Sequence, residues 1–121
     1  MGDFRELKAW RAAHGLGVAV YRMTAAFPAE ERFGLAAQLR RAIVSVSSNL
    51  AEGAGRSDPE FARFIEIARG SVAELRSQLL LARDLGLLPA IDWEASDQQA
   101  DEIGRMLAGL RAHLRRRLAR E

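Results

Sequence analysis

Two histidines are the first residues to test for chemistry, because a di-metal carboxylate bundle needs Glu-x-x-His on two helices so that both ligands project from one face. Neither fits. Three positions before His14 stands Arg11, and three before His113 stands Leu110. Ser45, Ser47, Ser48 and Ser71 offer hydroxyl nucleophiles, but no histidine lies in a pattern that would give any of them a base. Gly53-Ala54-Gly55 opens like a phosphate loop and then continues as Arg56-Ser57-Asp58, with no third glycine and no preceding strand. It reads as a capping turn whose glycines adopt left-handed backbone. With no cysteine in the chain, a disulfide framework and a thiolate metal site are both excluded. The expectation is a protein that is not an enzyme, with no catalytic residues, no cofactor and no metal. His14 falls on the apolar stripe of its helix and reads as a core histidine, whereas His113, among arginines, reads as solvated. Trp10 fits a core register, and Trp93, at a helix start, reads as cover for a bundle end rather than as a base-stacking platform.

Arginine is the other residue type that could act. Of the 18 basic residues 17 are arginine, against 16 acids, for a net charge of +2. The charge is polarised along the chain: Asp92 to Glu102 holds five acids and no base, and Arg105 to Arg120 holds six bases and no acid. Two readings stay open. The helix macrodipole favours acids at a helix start and bases at its end, and Arg111, Arg115, Arg116, Arg117 and Arg120 could alternatively contact nucleic-acid phosphates.

Four helical segments must position these groups, at about 6–26, 34–53, 58–86 and 92–119 of the 121 residues. Leu7, Trp10, His14, Val18, Tyr21 and Ala25 recur at helical spacing in the first, which Pro28 closes. Asp58 followed by Pro59 is the clearest helix start, an N-cap acid before a proline. The third helix carries Phe61, Phe64, Ile65, Ala68, Val72, Leu75, Leu79 and Ala82 on one face. Ala100, Ile103, Leu107, Leu110, Leu114 and Leu118 form the stripe of the fourth, in a heptad-like rhythm. With short connections and no strand pattern, the expected fold is all-α: a single domain, residues 1–121, forming an antiparallel up-and-down four-helix bundle. The first residues carry acids and no apolar run, and no uninterrupted apolar stretch approaches the roughly 18 residues of a membrane span. A cytoplasmic protein without membrane contact is expected.

The second helix lacks the charged face of a surface helix. Leu35, Leu39, Ala42, Ile43, Val46 and Leu50 share a core arc. Gln38, Arg41, Ser45, Ser48, Asn49 and Glu52 form a polar arc, and Ala36, Ala37, Arg40, Val44, Ser47 and Ala51 form a small, mostly apolar one. One chain's core uses only the first arc, so a neighbouring subunit is expected over much of the rest, the alternative being a helix deep inside one monomer. The polar arc then needs hydrogen-bond partners. Ser71, Glu74 and Gln78 of the third helix are the candidates, with an ion pair from Arg41 to Glu74 and Gln38, Ser45 and Asn49 nearby; a solvated polar stripe is the alternative.

The same residues carry a resemblance. Leu7 to Trp10, Tyr21, Phe27-Pro28, Gly34-Leu35, the block Gln38-Leu39-Arg40-Arg41-Ala42 through Asn49-Leu50-Ala51-Glu52-Gly53, then Phe61, Phe64, Gly70-Ser71, Glu74 and Ile103 to Leu107 resemble the family labelled 23S rRNA-intervening-sequence protein, with which the accessory protein of diversity-generating retroelements is grouped. Ser47 departs from a proline common in that family. The resemblance implies a four-helix bundle assembling as a ring-like homopentamer, and for the retroelement branch a barrel that binds RNA or DNA and a reverse transcriptase. The family label describes where some genes sit and implies no ribosomal role. The expected function is a homo-oligomeric scaffold or adaptor, contacting nucleic acid or a nucleic-acid enzyme, without a small-molecule substrate. The alternative is a protein-interaction module with no nucleic-acid contact.

Overall fold

The computed structural model describes residues 3–120. Four helices make up most of it: α1 Lys8–Ala25, α2 Leu35–Ala54, α3 Asp58–Asp84 and α4 Ala90–Ala119, with 3₁₀ turns at Phe4–Glu6 and Ala29–Glu31. Among the described residues there is no strand, so the fold is all-α. The helices pack in a closed order, α1 on α2, α2 on α3, α3 on α4 and α4 on α1, while α1 stays clear of α3 and α2 clear of α4. The large fully buried side chains include Leu16, Leu39, Ile43, Leu50, Ile65, Leu75, Leu79, Ile103 and Leu107, so every helix contributes to one core.

The helix ends follow from local chemistry, and several depart from the sequence expectation. Gly34 offers α2 no side-chain cap, and the Glu31 carboxylate takes that role, accepting the Leu35 N–H at 3.1 Å. An acid there satisfies an orphan donor and meets the positive end of the helix. At the start of α3 the N-cap is Ser57 and not Asp58: its Oγ accepts the Glu60 N–H at 3.4 Å and donates to the Glu60 carboxylate at 2.9 Å. The Ser57 hydroxyl, with the neighbouring Arg56 guanidinium, holds the Glu60 carboxyl below its ordinary value. Asp58 lies inside the helix and is left to pair with the Arg117 guanidinium of α4 at 3.1 Å.

Left-handed backbone occurs at neither Gly53 nor Gly55, contrary to expectation, but at Gly86, whose φ is +75°. There the Leu87 N–H reaches the Ala82 carbonyl at 2.9 Å and the Gly86 N–H the Arg83 carbonyl at 3.0 Å. This is a Schellman end, and it stops α3 at Asp84 rather than at 86. Pro89, in extended backbone, then lets α4 begin at Ala90, two residues before the expected start.

The largest correction concerns α1. Its buried face is Ala9, Ala13, Leu16, Val20 and Thr24, not the stripe through His14, Val18 and Tyr21, all three of which are exposed. His14 is therefore no core histidine. It stacks on Trp10 with ring centroids 4.9 Å apart. Both stripes have helical spacing, and the one that packing buries carries Leu16 and Val20 among the smaller Ala9, Ala13 and Thr24. A Cβ on Gly17 would stand in ordinary contact with Ile43, at 3.7 Å. The core faces of α2, α3 and α4 follow the expected arcs, with Phe64, Leu110 and Leu118 half-buried at their margins.

Candidate functional site

The polar arc of α2 divides into residues that meet α3 and residues that do not. Ser45 and Ser71 share a hydrogen bond of 2.8 Å across the α2–α3 seam, and Asn49 Nδ2 donates to the Ser45 carbonyl at 2.7 Å and to its Oγ at 3.2 Å. Ser71 is buried, so this small network satisfies a hydroxyl that would otherwise carry a desolvation cost. The expected Arg41–Glu74 ion pair is not formed. Both side chains are exposed, and Glu74 accepts instead from Gln78 on its own helix at 3.1 Å. At an exposed site a salt bridge gains about 0–1 kcal/mol, too little to hold two long side chains together across the seam. Gln38 is exposed as well. Glu52 pairs with Arg56 at 2.5 Å, and Arg56 also reaches Glu60 at 3.3 Å, which ties the α2–α3 turn together.

The five C-terminal arginines do not form one cluster. Arg111 donates to Glu66 and Arg117 forms an ion pair with Asp58, each at 3.1 Å, so two of them serve the α3–α4 seam. Glu66, which also accepts from Arg69, has its carboxyl held below the ordinary value by that hydrogen bond and by the charges of Arg69 and Arg111. Arg115, Arg116 and Arg120 are exposed and have no acidic partner among the described residues. The acids at the other end of α4 are used similarly: Asp97 takes Arg76 through two hydrogen bonds of 2.8 and 3.1 Å, and Asp101 takes it at 3.2 Å. Much of the charge polarity of α4 thus serves contacts with α3.

The most distinctive surface feature lies on the other side. An open groove of about 480 Å³ runs between α1 and α2, lined by His14, Val18 and Tyr21 from one and Ile43, Val44 and Ser47 from the other. Tyr21 is 46% exposed, Val44 43% and Val18 40%, and Phe33, beside a neighbouring depression shared with Tyr21 and Val44, is 87% exposed. Arginines border this surface. Arg40 lies over the Tyr21 ring at 4.6 Å and donates to Thr24 Oγ1 at 2.8 Å, and Arg32 lies over Phe33 at 5.3 Å. A contiguous apolar surface with a polar rim is the signature of a macromolecular contact. His14 and Ser47 both line the groove, and the Ser47 hydroxyl donates to the Val44 carbonyl of its own helix at 3.2 Å. Among the described residues there is no group of three or more histidines and acids able to hold a metal ion, and no helix is long and apolar enough to cross a membrane.

Val18 and Tyr21, expected on the core stripe of α1, line the groove instead, and Phe33 has no expected role. The available signal was that α1 carries two apolar stripes at helical spacing, which a helix with one covered face does not need. Val44 did fall on the small-residue arc of α2, but α1 covers part of that arc: Ala36 is buried, and Arg40 reaches Thr24 and Tyr21.

A family model described as 23S rRNA-intervening sequence protein matches residues 5–109. Among solved structures, the crystal structure of a protein with unknown function from the S23 ribosomal protein family of Bacteroides thetaiotaomicron is similar, with a TM-score of 0.77 and 18% identity over 85% of this chain and 97% of that one. At that identity the likeness is one of fold. No curated protein matches the chain.

Proposed function

This chain belongs to the 23S rRNA-intervening sequence protein family, and we propose that it is a non-enzymatic, cytoplasmic, homo-oligomeric scaffold: an antiparallel up-and-down bundle repeated five times in a ring. The observation that carries the assembly is the apolar groove between α1 and α2, exposed on a single chain although it contains Tyr21, Val18 and Val44. The antiparallel course is supported by the seam contacts, in which one partner's number falls as the other's rises. Gly53 faces Phe61 and Phe64 while Ser45 meets Ser71; Asp58, Glu66 and Arg76 meet Arg117, Arg111 and Asp97 in turn; Gly17 faces Ile43 while Thr24 meets Arg40. The number five rests on the resemblance of the sequence motifs to the family.

Nucleic acid, alone or with an enzyme such as a reverse transcriptase that acts on it, is the partner proposed for the assembled surface. Support comes from Arg115, Arg116 and Arg120, which have no acidic partner among the described residues. Light scattering tests both halves. Alone at micromolar concentration, the chain should have a mass near five times 13.4 kDa; a mass of one chain refutes the assembly. Structured RNA or duplex DNA should join it at 50 mM salt and leave by 200 mM, because phosphate contacts release counterions. Replacing Arg115, Arg116 and Arg120 by Glu should abolish that binding and leave the mass of the protein alone unchanged. No binding at low salt leaves a protein-interaction scaffold.

A further inference from the structure

The geometry points to a separate binding site, at the turn between α1 and α2, for a nucleoside phosphate: an aromatic base carried with a phosphate group. Phe33 is the most exposed large apolar side chain among the described residues, at 87%, and it stands in the connection between the helices, where no other helix covers it. Arg32 lies over its ring with the guanidinium carbon 5.3 Å from the centroid, and Arg40 lies over Tyr21 at 4.6 Å. These two arginine–aromatic pairs, with Arg41, line one depression of about 420 Å³. Arg32 and Arg40 also line a second depression, of about 320 Å³, with Thr24 and Phe27, so both side chains border the two hollows.

The three arginines are not neutralised by the fold. None has an ion-pair partner among the described residues, and no acid lines either depression. Of the acids next to Arg32 in sequence, Glu31 is committed to the Leu35 N–H at 3.1 Å, and Glu30 makes no ion pair. Arg40 is held in place instead by neutral acceptors: its Nε donates to Thr24 Oγ1 at 2.8 Å and its Nη2 to the Tyr21 carbonyl at 3.3 Å, which leaves Nη1 uncommitted.

This combination selects the ligand. Guanidinium forks suit the oxygens of a phosphate, which accepts from more than one arginine at once. Phosphate alone would leave Phe33 unused, and a purely apolar partner would bury three guanidiniums without compensation. A flat base extends the stack that Arg32 and Phe33 begin while its phosphate takes the arginines, and since every base has a π face the site reads the class of ligand rather than one base.

The site is distinct from both surfaces used above. Met23, near the end of α1, accepts from Ser96 near the start of α4, whereas Arg117, near the end of α4, pairs with Asp58. Arg115, Arg116 and Arg120 therefore stand at the opposite end of the bundle, roughly 30 Å of helix away. With the apolar α1–α2 groove the site shares only Tyr21 and Val44. It is built within one chain, so its test stands whether or not the ring forms.

Calorimetric titration of the full chain with adenosine 5′-monophosphate tests the site, with adenosine and inorganic phosphate as its separated halves. The mononucleotide should bind at least about tenfold more tightly than either half. Phe33→Ala should lower that affinity by about tenfold, the weight of one stacking ring, and Phe33→Trp should restore it. Arg41→Glu should lower it by a similar factor. Replacing Arg115, Arg116 and Arg120 by Glu should leave it unchanged, which separates this site from the phosphate contacts proposed at the other end. A short single strand of deoxyadenylate distinguishes the two sources of such a group. Tighter binding than the mononucleotide, lost again with Phe33→Ala, identifies an unpaired strand, and binding no tighter identifies the free nucleotide. Phe33 and Arg41 are exposed, so circular dichroism and light scattering should find the fold and mass of their variants unchanged. No binding of the mononucleotide, equal binding of adenosine or phosphate alone, or full affinity in Phe33→Ala would overturn the site. So would a Phe33→Ala variant that loses the wild-type mass, because Phe33 would then belong to a contact between chains.

Discussion

Gly53 is the position where the α2–α3 seam tolerates least. A Cβ there would stand 2.8 Å from Phe64 Cβ and 2.9 Å from Phe61 Cδ1, and Phe64 Cβ is fixed to its backbone, so α3 itself would have to move. Gly109 has nothing within 4 Å of the same construction. In a helix interior alanine is favoured over glycine by roughly 1 kcal/mol, so Gly109→Ala should raise stability by up to that amount. Gly53→Ala should lower it by about 1–3 kcal/mol, because overpacking outweighs the gain in propensity. Thermal unfolding of the two single variants gives the signs, and a raised melting temperature for Gly53→Ala would contradict the close approach. Sequence alone marked Gly53 and Gly55 as special but assigned them the wrong use. Glycine serves both left-handed backbone and tight helix contact, and only the position of the facing phenylalanines separates the two. For the same reason Ser45, Asn49 and Ser71 were legible as partners across a seam, whereas the Arg41–Glu74 pair was not. Helical register gives the level of a side chain and leaves open whether it turns into the seam or toward water.

Among the helices, α3 has the most informative start. Ser57 caps it and Asp58 reaches across to Arg117, so the two neighbours contribute through different physics. Ser57→Ala should cost about 1 kcal/mol at any ionic strength, because it removes a hydrogen-bonded cap. The smaller loss in Asp58→Ala should shrink further in 1 M salt, where the Debye length is about 3 Å. Denaturant unfolding at 0.1 and 1 M salt separates them, and a salt-sensitive Ser57→Ala would contradict the assignment of the cap. The helices of the fold, and the core arcs of α2, α3 and α4, were legible because one apolar stripe dominated each. On α1 two stripes compete. Trp10, Val18 and Tyr21 are the larger side chains, yet packing buries Ala9, Ala13 and Leu16, so side-chain size and spacing do not distinguish the core stripe from the one that lines the groove.

At the scale of the molecule, the four helices close one core and leave the apolar groove between α1 and α2 uncovered. The net charge of +2 conceals its setting: Arg22, Arg32, Arg40 and Arg41, none with an acidic partner among the described residues, border the groove. The function we propose lies in what the assembled surface holds. Native mass spectrometry of the purified chain reads out closure into a five-membered ring. The predicted result is one dominant species at five times 13.4 kDa that does not grow with concentration. A dominant peak at the mass of one chain, or a ladder of sizes that lengthens with concentration, would contradict it.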